Sequence, residues 1–358
     1  MPGLSPQGLD AEPRRGLLPS AVPLEGSPRG WGYLDVESTG LSRGAGTLVF
    51  LVGLAWWEED ELVVLQHLLP DPAEEAAWLE EVAAEMAGRP WVTFNGDRFD
   101  LPLLAGRWLL CHGPGAGPNP FAPAAPGATG AAGTAGWDIL PLARAVWGRR
   151  LGRASLAVLE EAVLGLRREG DLPGSAAPAR YLAYLNGGDA GLLDDVLAHN
   201  RSDLVSLAAL TARLAELLAR RPSQGLPAWA AEGLGRWARK AGDPASVPLL
   251  AQAFRGSERP GERLRTGRLL ARELERHRRW TEAAAVWEEL LTQPSLAPSE
   301  AFVALAKLYE HRLKRPERAL ELVEQALSLE ARRRLPGSAQ RVQELEHRRQ
   351  RLRRRLHA

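Results

Sequence analysis

Three short acidic motifs, arriving in a fixed order on different kinds of element, constrain this 358-residue chain more than any other feature. They are Asp35-Val36-Glu37-Ser38-Thr39-Gly40, Asn95-Gly96-Asp97-Arg98-Phe99-Asp100 and His199-Asn200-Arg201-Ser202-Asp203. Trp31 to Glu37 reads as a strand, and because side chains alternate faces with period two, Asp35 and Glu37 point the same way. Ser-Thr-Gly then predicts a turn, and Thr47 to Trp57 and Glu61 to Leu69 predict two further strands of a meander. Asp71-Pro72 and the Ala- and Glu-rich segment to Ala87 predict a helix with a capping residue, a Pro at its first position and acids in its opening turn. Trp91 to Phe94 is a short β-rich run that delivers Asn95 to the sheet edge, with Phe99-Asp100 opening a helix through about Arg107. The third motif sits in a long helical pattern, about Ala190 to Arg220, where four-residue spacing puts His199 and Asp203 on one face. A fold that joins these elements gathers Asp35, Glu37, Asp100 and Asp203. Clustered carboxylates repel one another unless a cation neutralises them, and hard divalent cations prefer oxygen ligands.

The order D-x-E-x-T-G, N-x3-F-D, then H-x3-D resembles the DEDD superfamily of exonucleases, which have an RNase H-like fold. Thr39-Gly40-Leu41-Ser42 and Gly46-Thr47-Leu48-Val49-Phe50-Leu51-Val52-Gly53 are similar, more narrowly, to bacterial YprB-type RNase H-like proteins. The resemblance covers about residues 30 to 220. It implies an α/β fold with a mixed sheet flanked by helices, and metal-dependent hydrolysis of nucleic acid, DNA or RNA, usually from a 3′ end. It also implies that Asp35, Glu37, Asp100 and Asp203 bind two divalent cations, Mg²⁺ or Mn²⁺, and that Thr39, Gly40, Leu41, Asn95 and Phe99 lie against the nucleotide. Two such ions can clamp a scissile phosphate, one activating water and the other stabilising the leaving oxygen. A His with an ordinary pKa near 6.5 can orient or accept the proton of that water. The last motif departs from the family pattern: the histidine subfamily places its His five residues before the Asp, whereas His199 is four before Asp203, a position where Tyr is usual. His199 is therefore expected to handle a proton rather than ligate metal. Asp138, in Trp137-Asp138-Ile139-Leu140, resembles an internal segment of the same family and is expected to play a supporting role near the substrate groove.

Taken singly, each motif has a plainer reading. Paired acids on an edge strand are often simply solvated, Asn-Gly-Asp is usually a turn, and His199 with Asp203 could be a surface pair on a helix. Their conjunction in order favours an enzyme. The alternative from another class is an inactive RNase H-like binding module or adaptor, which has no physical need to hold four carboxylates together.

Lys plus Arg, 45, nearly balance Asp plus Glu, 44, so no global field points to a polyanion. Locally, Ala331 to Ala358 holds ten Arg and two Glu, a balance of +8. A helix over about Gln340 to Leu356 is expected there, either as a basic arm on nucleic acid or as a cap on the domain before it. Beyond Arg221 to Gly225 the pattern is helical only. Leu270-Ala271 matches Leu305-Ala306 at a shift of 35 residues (306 minus 271), and Ala283 to Leu291 matches Ala319 to Leu327 at 36 (319 minus 283), close to a tetratricopeptide period. An earlier, poorer copy runs from Leu234 to Phe254. Such an array offers a surface for a protein partner. The expected organisation is a disordered leader over 1–29, an RNase H-like domain over 30–220, helical repeats over 221–335 and a basic helix over 336–358. Residues 113–136, dominated by Gly, Ala and Pro, are expected to form an exposed loop that cannot bury enough surface to order itself. The lone Cys111 excludes an internal disulfide. With no apolar run long enough to span a bilayer, a cytoplasmic protein away from membranes is expected.

Overall fold

Alternation of apolar and polar positions organises the first unit around a central strand, β1 (Gly32–Ser38), which carries the first motif. A computed structural model describes residues 27–40, 46–115, 117–122, 136–168, 170–219, 225–292, 299–333 and 338–357. The meander is present as β2 (Val49–Glu58) and β3 (Glu61–Leu68), both antiparallel to their neighbours. On the other side, β4 (Trp91–Thr93) and β5 (Gly136–Asp138) run parallel to β1 and to each other, giving a mixed sheet of order β3-β2-β1-β4-β5. The meander β1-β2-β3 lies to one side of β1, and the chain crosses from β3 to β4 on the other side, so the carboxyl ends of the parallel strands β1, β4 and β5 share one edge of the sheet.

Each face of the sheet is covered. Leu34, Val52 and Leu54 pack with Trp78, Leu79 and Leu104, from α1 (Glu75–Met86) and α2 (Asp100–His112). Asp71 caps a single 3-10 turn ahead of α1, its side chain accepting a hydrogen bond from the Ala73 N–H at 2.9 Å. Helix α2 runs a turn and more beyond the expected end at Arg107. On the opposite face Phe50 and Leu51 meet Ala177, Tyr181, Leu193 and Val196, from α3 (Ala177–Leu185), a 3-10 turn (Ala190–Leu193) and α4 (Asp194–Ala219). The Phe50 and Tyr181 rings stack at 4.2 Å. Residues 140–164 form short helical turns, two of them π-helical, at Arg144–Gly148 and Glu160–Leu164.

Two expectations need correction. The Gly/Ala/Pro-rich stretch is not exposed throughout: Phe121 is fully buried beside Trp108, and Asn119 fixes the approach by donating to the Ala105 carbonyl at 2.8 Å. One aromatic anchor supplies the burial that the surrounding composition lacks. Residues 123–135 lie outside the described residues. The leader likewise becomes ordered before Gly30, since Pro28–Gly30 form a 3-10 turn whose Pro28 carbonyl accepts from the Tyr33 hydroxyl at 3.0 Å. The rest of that segment, 1–26, is outside the described residues.

The chain divides into two compact units, Met1–Arg221 and Pro222–Ala358. The second is helical throughout its described residues: α5 (Ala228–Ala241), α6 (Ser246–Arg255), α7 (Pro260–Arg276), α8 (Trp280–Leu291), α9 (Ser299–His311), α10 (Pro316–Arg333) and α11 (Ser338–His357). Positions related by the 35-residue shift are buried in one core, Leu270 with Leu305, Ala271 with Ala306, Leu274 with Tyr309 and Ala284 with Ala319. Helix α11 belongs to that core through Leu345 and Leu352. Four of its seven arginines face partners elsewhere in the unit: Arg348 and Arg351 reach Glu310, Arg341 reaches Glu330 and Arg353 reaches Glu324. Of the two readings of this basic helix, the structure supports the cap. Among the described residues no helix is long and apolar enough to cross a membrane.

Candidate functional site

The site begins with β1, whose period-two geometry turns Leu34 and Val36 toward α1 and α2 and Asp35 and Glu37 toward α4. Helix α4 lies close to the sheet because Gly53, opposite Asp35 on β2, has no side chain: a Cβ there would overlap the Asn200 carboxamide. Asn200 is fully buried and donates from Nδ2 to the Asp35 carboxylate at 2.9 Å and to the Asp35 carbonyl at 3.3 Å. Its own Oδ1 accepts from Gln66 on β3 at 2.8 Å. The Asp35 carboxyl is thus aimed by a relay across three elements. Gly53→Ala should drive Asn200 off this position and destabilise the fold by about 1–3 kcal/mol, the usual range for overpacking. A thermal melt indistinguishable from the parent's would show that α4 can move away at no cost.

The second motif is held from the neighbouring strand. Asn95 adopts a left-handed backbone, φ 74°, a conformation that Asn tolerates better than most side chains. Its N–H is accepted by Asp138 at 2.7 Å, and the same Asp138 oxygen accepts the Leu140 N–H at 3.0 Å. The Leu101 N–H bonds back to the Gly96 carbonyl at 3.1 Å, and Asp100 follows in the first turn of α2. Asp138 therefore shapes the loop that presents Asp100. Phe99 is 40% exposed beside it.

On α4, His199 Nδ1 stands 2.8 Å from Asp171 and Nε2 stands 3.8 Å from Asp203. An ionised Asp171 can only accept, so Nδ1 carries the proton in that contact and Nε2 turns toward Asp203. Arg168 forms an ion pair with Asp203, a second with the buried Glu160, and a third with Asp171 at 3.0 Å. Sequence reading singled out none of Arg168, Asp171 and Glu160. Asn200 stood within the third motif unassigned, although a lone amide in a helix otherwise facing a core signals a buried partner.

Asp35, Glu37, Asp100 and Asp203 all titrate high. Burial pushes Asp35 well up, with the charges of Asp203, Asp100 and Glu37 adding to it and the Asn200 amide opposing. Burial, then Asp138 and Glu37, raise Asp100 to about 7. Burial raises Glu37 to about 7, with His199 opposing and Asp203 adding. Asp203 is also raised by burial, against the pull of Arg168 and His199. For His199 burial lowers the pKa, but Asp203, Asp171 and Glu37 together leave it above its ordinary value. The acids are thus close enough to repel, yet among the described residues no three His, Cys, Asp or Glu converge at metal-ligand distance. The donor set, oxygen throughout, suits a hard cation.

The stability consequence follows from the sign of these shifts. A carboxyl whose folded pKa lies above its unfolded value stabilises the fold fully below the unfolded pKa, and this is lost as pH rises through the folded one. Glu37 and Asp100 place that loss between about pH 4 and pH 7, and His199, also raised, acts in the same direction. In chelator the melting temperature should therefore fall between pH 5.5 and pH 8, by an amount corresponding to a few kcal/mol. A melting temperature that rises over this interval would contradict the clustered charges.

The remaining expected contacts are mixed. Thr39 Oγ1 accepts the Leu48 N–H at 2.9 Å while its own N–H bonds the Leu48 carbonyl, so this side chain closes the β1–β2 connection. Gly40 is bonded by the Ser38 hydroxyl at 2.8 Å. Leu41 lies outside the described residues. The sequence profile of the RNase H superfamily matches residues 32–215. The chain is also 32% identical over 303 residues to the uncharacterized protein YprB of Bacillus subtilis (strain 168), an alignment spanning 83% of this chain and 68% of the relative.

Proposed function

Because the chain belongs to the RNase H superfamily, we propose that its first unit hydrolyses phosphodiester bonds of nucleic acid as a DEDD-type 3′–5′ exonuclease. One observation carries the reading: acids from three remote segments of the chain, Asp35 and Glu37, Asp100, and Asp203, are close enough to raise one another's pKa. In this reading those four residues hold two divalent cations, Mg²⁺ or Mn²⁺. Bound there, the ions would supply Lewis-acid activation of water and neutralise the leaving oxygen. Asp203 would leave Arg168, which retains Glu160 and Asp171 as partners. Asn200 aims Asp35, Asp138 shapes the Asn95–Asp100 loop, and Asp171 orients His199 so that Nε2 can take or direct a proton. Thr39, Gly40, Leu41, Asn95 and Phe99 border the nucleotide. We also read the second unit as a tetratricopeptide-like array that takes a protein partner.

The rival reading, an inactive module that grips nucleic acid or supports the helical array, is favoured by one feature: Arg168 already neutralises Asp203. The full chain, incubated with Mn²⁺ and end-labelled single-stranded DNA and RNA, should shorten the strand progressively and stop when chelator is added. Binding without cleavage under every metal condition would leave the rival.

A further inference from the structure

Several arginine ion pairs of the first unit involve none of the four acids, as in Arg107 with Glu75, Arg180 with Asp195 and Arg213 with Glu216. Arg168 is placed differently. Its Nη2 forms ion pairs with both Asp203 and Glu160, while Nη1 lies 3.0 Å from Asp171 and 3.4 Å from His199 Nδ1. One guanidinium thus joins an acid of the third motif to the acid that holds the histidine. Glu160, 2% exposed at the start of the π-helical turn Glu160–Leu164, tethers it there. A carboxylate so buried needs a cationic partner, so Arg168 stays anchored whether or not Asp203 is bound to it.

Both oxygens of Asp203 already face a nitrogen: Oδ1 bonds Arg168, and Oδ2 stands 3.8 Å from His199 Nε2. A divalent cation on either oxygen would place two positive charges beside the guanidinium charge, and like charges at such range repel. The guanidinium cannot escape by losing its proton, because Arg stays charged at any pH a folded chain meets. We propose that Arg168 is a built-in competitor for the cation that takes Asp203: it occupies the metal-free site and sets the free Mg²⁺ or Mn²⁺ concentration at which that site fills. This deepens the nuclease reading and rests on its assignment of Asp203 as a ligand. The apparent affinity of the cation is reduced by the fraction of chains in which Asp203 stands released. Glu160 and Asp171 keep Arg168 beside the site, so loss of the cation returns Asp203 to it. Raising the pH relieves competition from protons on the acids and leaves competition from Arg168 intact.

The test reads metal binding and needs no turnover. Mn²⁺ is titrated into the full chain at pH 8 and the free ion is followed by electron paramagnetic resonance. Arg168→Gln should lower the Mn²⁺ concentration that half-fills the site by about tenfold or more, the equivalent of one released hydrogen bond between charged groups. Mn²⁺ should also raise the melting temperature of this variant by more than it raises the parent's. Arg168→Gln combined with Glu160→Gln removes the buried charge that the single change strands; it should show the same gain and keeps the test open if the single variant does not fold. Two controls separate competition from plain loss of charge. Arg144→Gln removes an exposed arginine whose charge acts on Asp138, and screening should leave the half-filling concentration nearly as it was. Arg168→Gln added to Asp203→Asn should give no gain over Asp203→Asn alone. An unchanged half-filling concentration in the Arg168 variants, an equal gain for Arg144→Gln, a gain that survives Asp203→Asn, or no Mn²⁺ uptake by any chain would each overturn the proposal. Failure of the nuclease reading looks different: a chain whose Mn²⁺ affinity depends on Arg168 yet never cuts nucleic acid refutes catalysis and keeps the competition.

Discussion

Asp35→Asn is expected to lower phosphodiester cleavage at least about 10³-fold while leaving the chain folded. The substitution is nearly isosteric, and an Asn at this position still offers an oxygen to the Asn200 amide that holds Asp35 at 2.9 Å. What it removes is one negative charge from a ligand set whose ions would contribute several kcal/mol of transition-state stabilisation. At about 1.4 kcal/mol per decade, that loss corresponds to a factor of a thousand or more. Asp203→Asn should behave alike. Melting supplies an independent readout, because burial, with like charge adding, holds the Asp35 carboxyl well above its ordinary pKa, and burial raises that of Asp203 as well. In chelator at pH 8 both variants should therefore melt above the parent, and Mn²⁺ should raise the melting temperature of the parent alone. Equal turnover in the variants, or full activity in excess chelator, would sink the two-metal reading.

The second large effect is expected at His199, where Ala should lower the rate by roughly 10²–10⁴-fold, the usual contribution of a positioned acid–base group. Asp171 holds Nδ1 at 2.8 Å, so Asp171→Asn should reproduce part of the loss and shift the pH–rate profile, since one of the acids that, after Asp203, keep the ring's pKa up has been neutralised. Tyr at position 199 should restore some activity, given its four-residue distance from Asp203. Wild-type rates in His199→Ala would make it a helix-surface residue with no part in the chemistry.

Local physics made much of this legible in advance. The alternation Trp31 to Glu37 fixed the common face of Asp35 and Glu37. The capping residue Asp71 marked the start of a helix, and the four-residue step from His199 to Asp203 put both on one side of α4. Such features depend on period and neighbouring residues alone. Positions related by the 35-residue shift, Leu270 with Leu305 and Ala271 with Ala306, are buried in one core of the second unit. The loop over 113–136 failed for the complementary reason. Composition averaged over the stretch hides a single residue, Phe121, that packs fully against α2.

What tertiary structure alone decided is which groups stand behind the acids. Asn200 meets Asp35 across 165 residues of sequence, Asp138 meets Asn95 across 43, and Arg168 meets Asp203 across 35. No periodicity links such pairs, since each depends on how closely α4 settles on the sheet, which an absent side chain at Gly53 permits, and on where β5 ends beside β4. Residue type and spacing determined which carboxylates can share a face and which helices repeat. Packing determined how far their charges are desolvated and which cation now answers Asp203, because pKa and ion pairing depend on distance in space and exclusion of water, and neither is written in the order of residues.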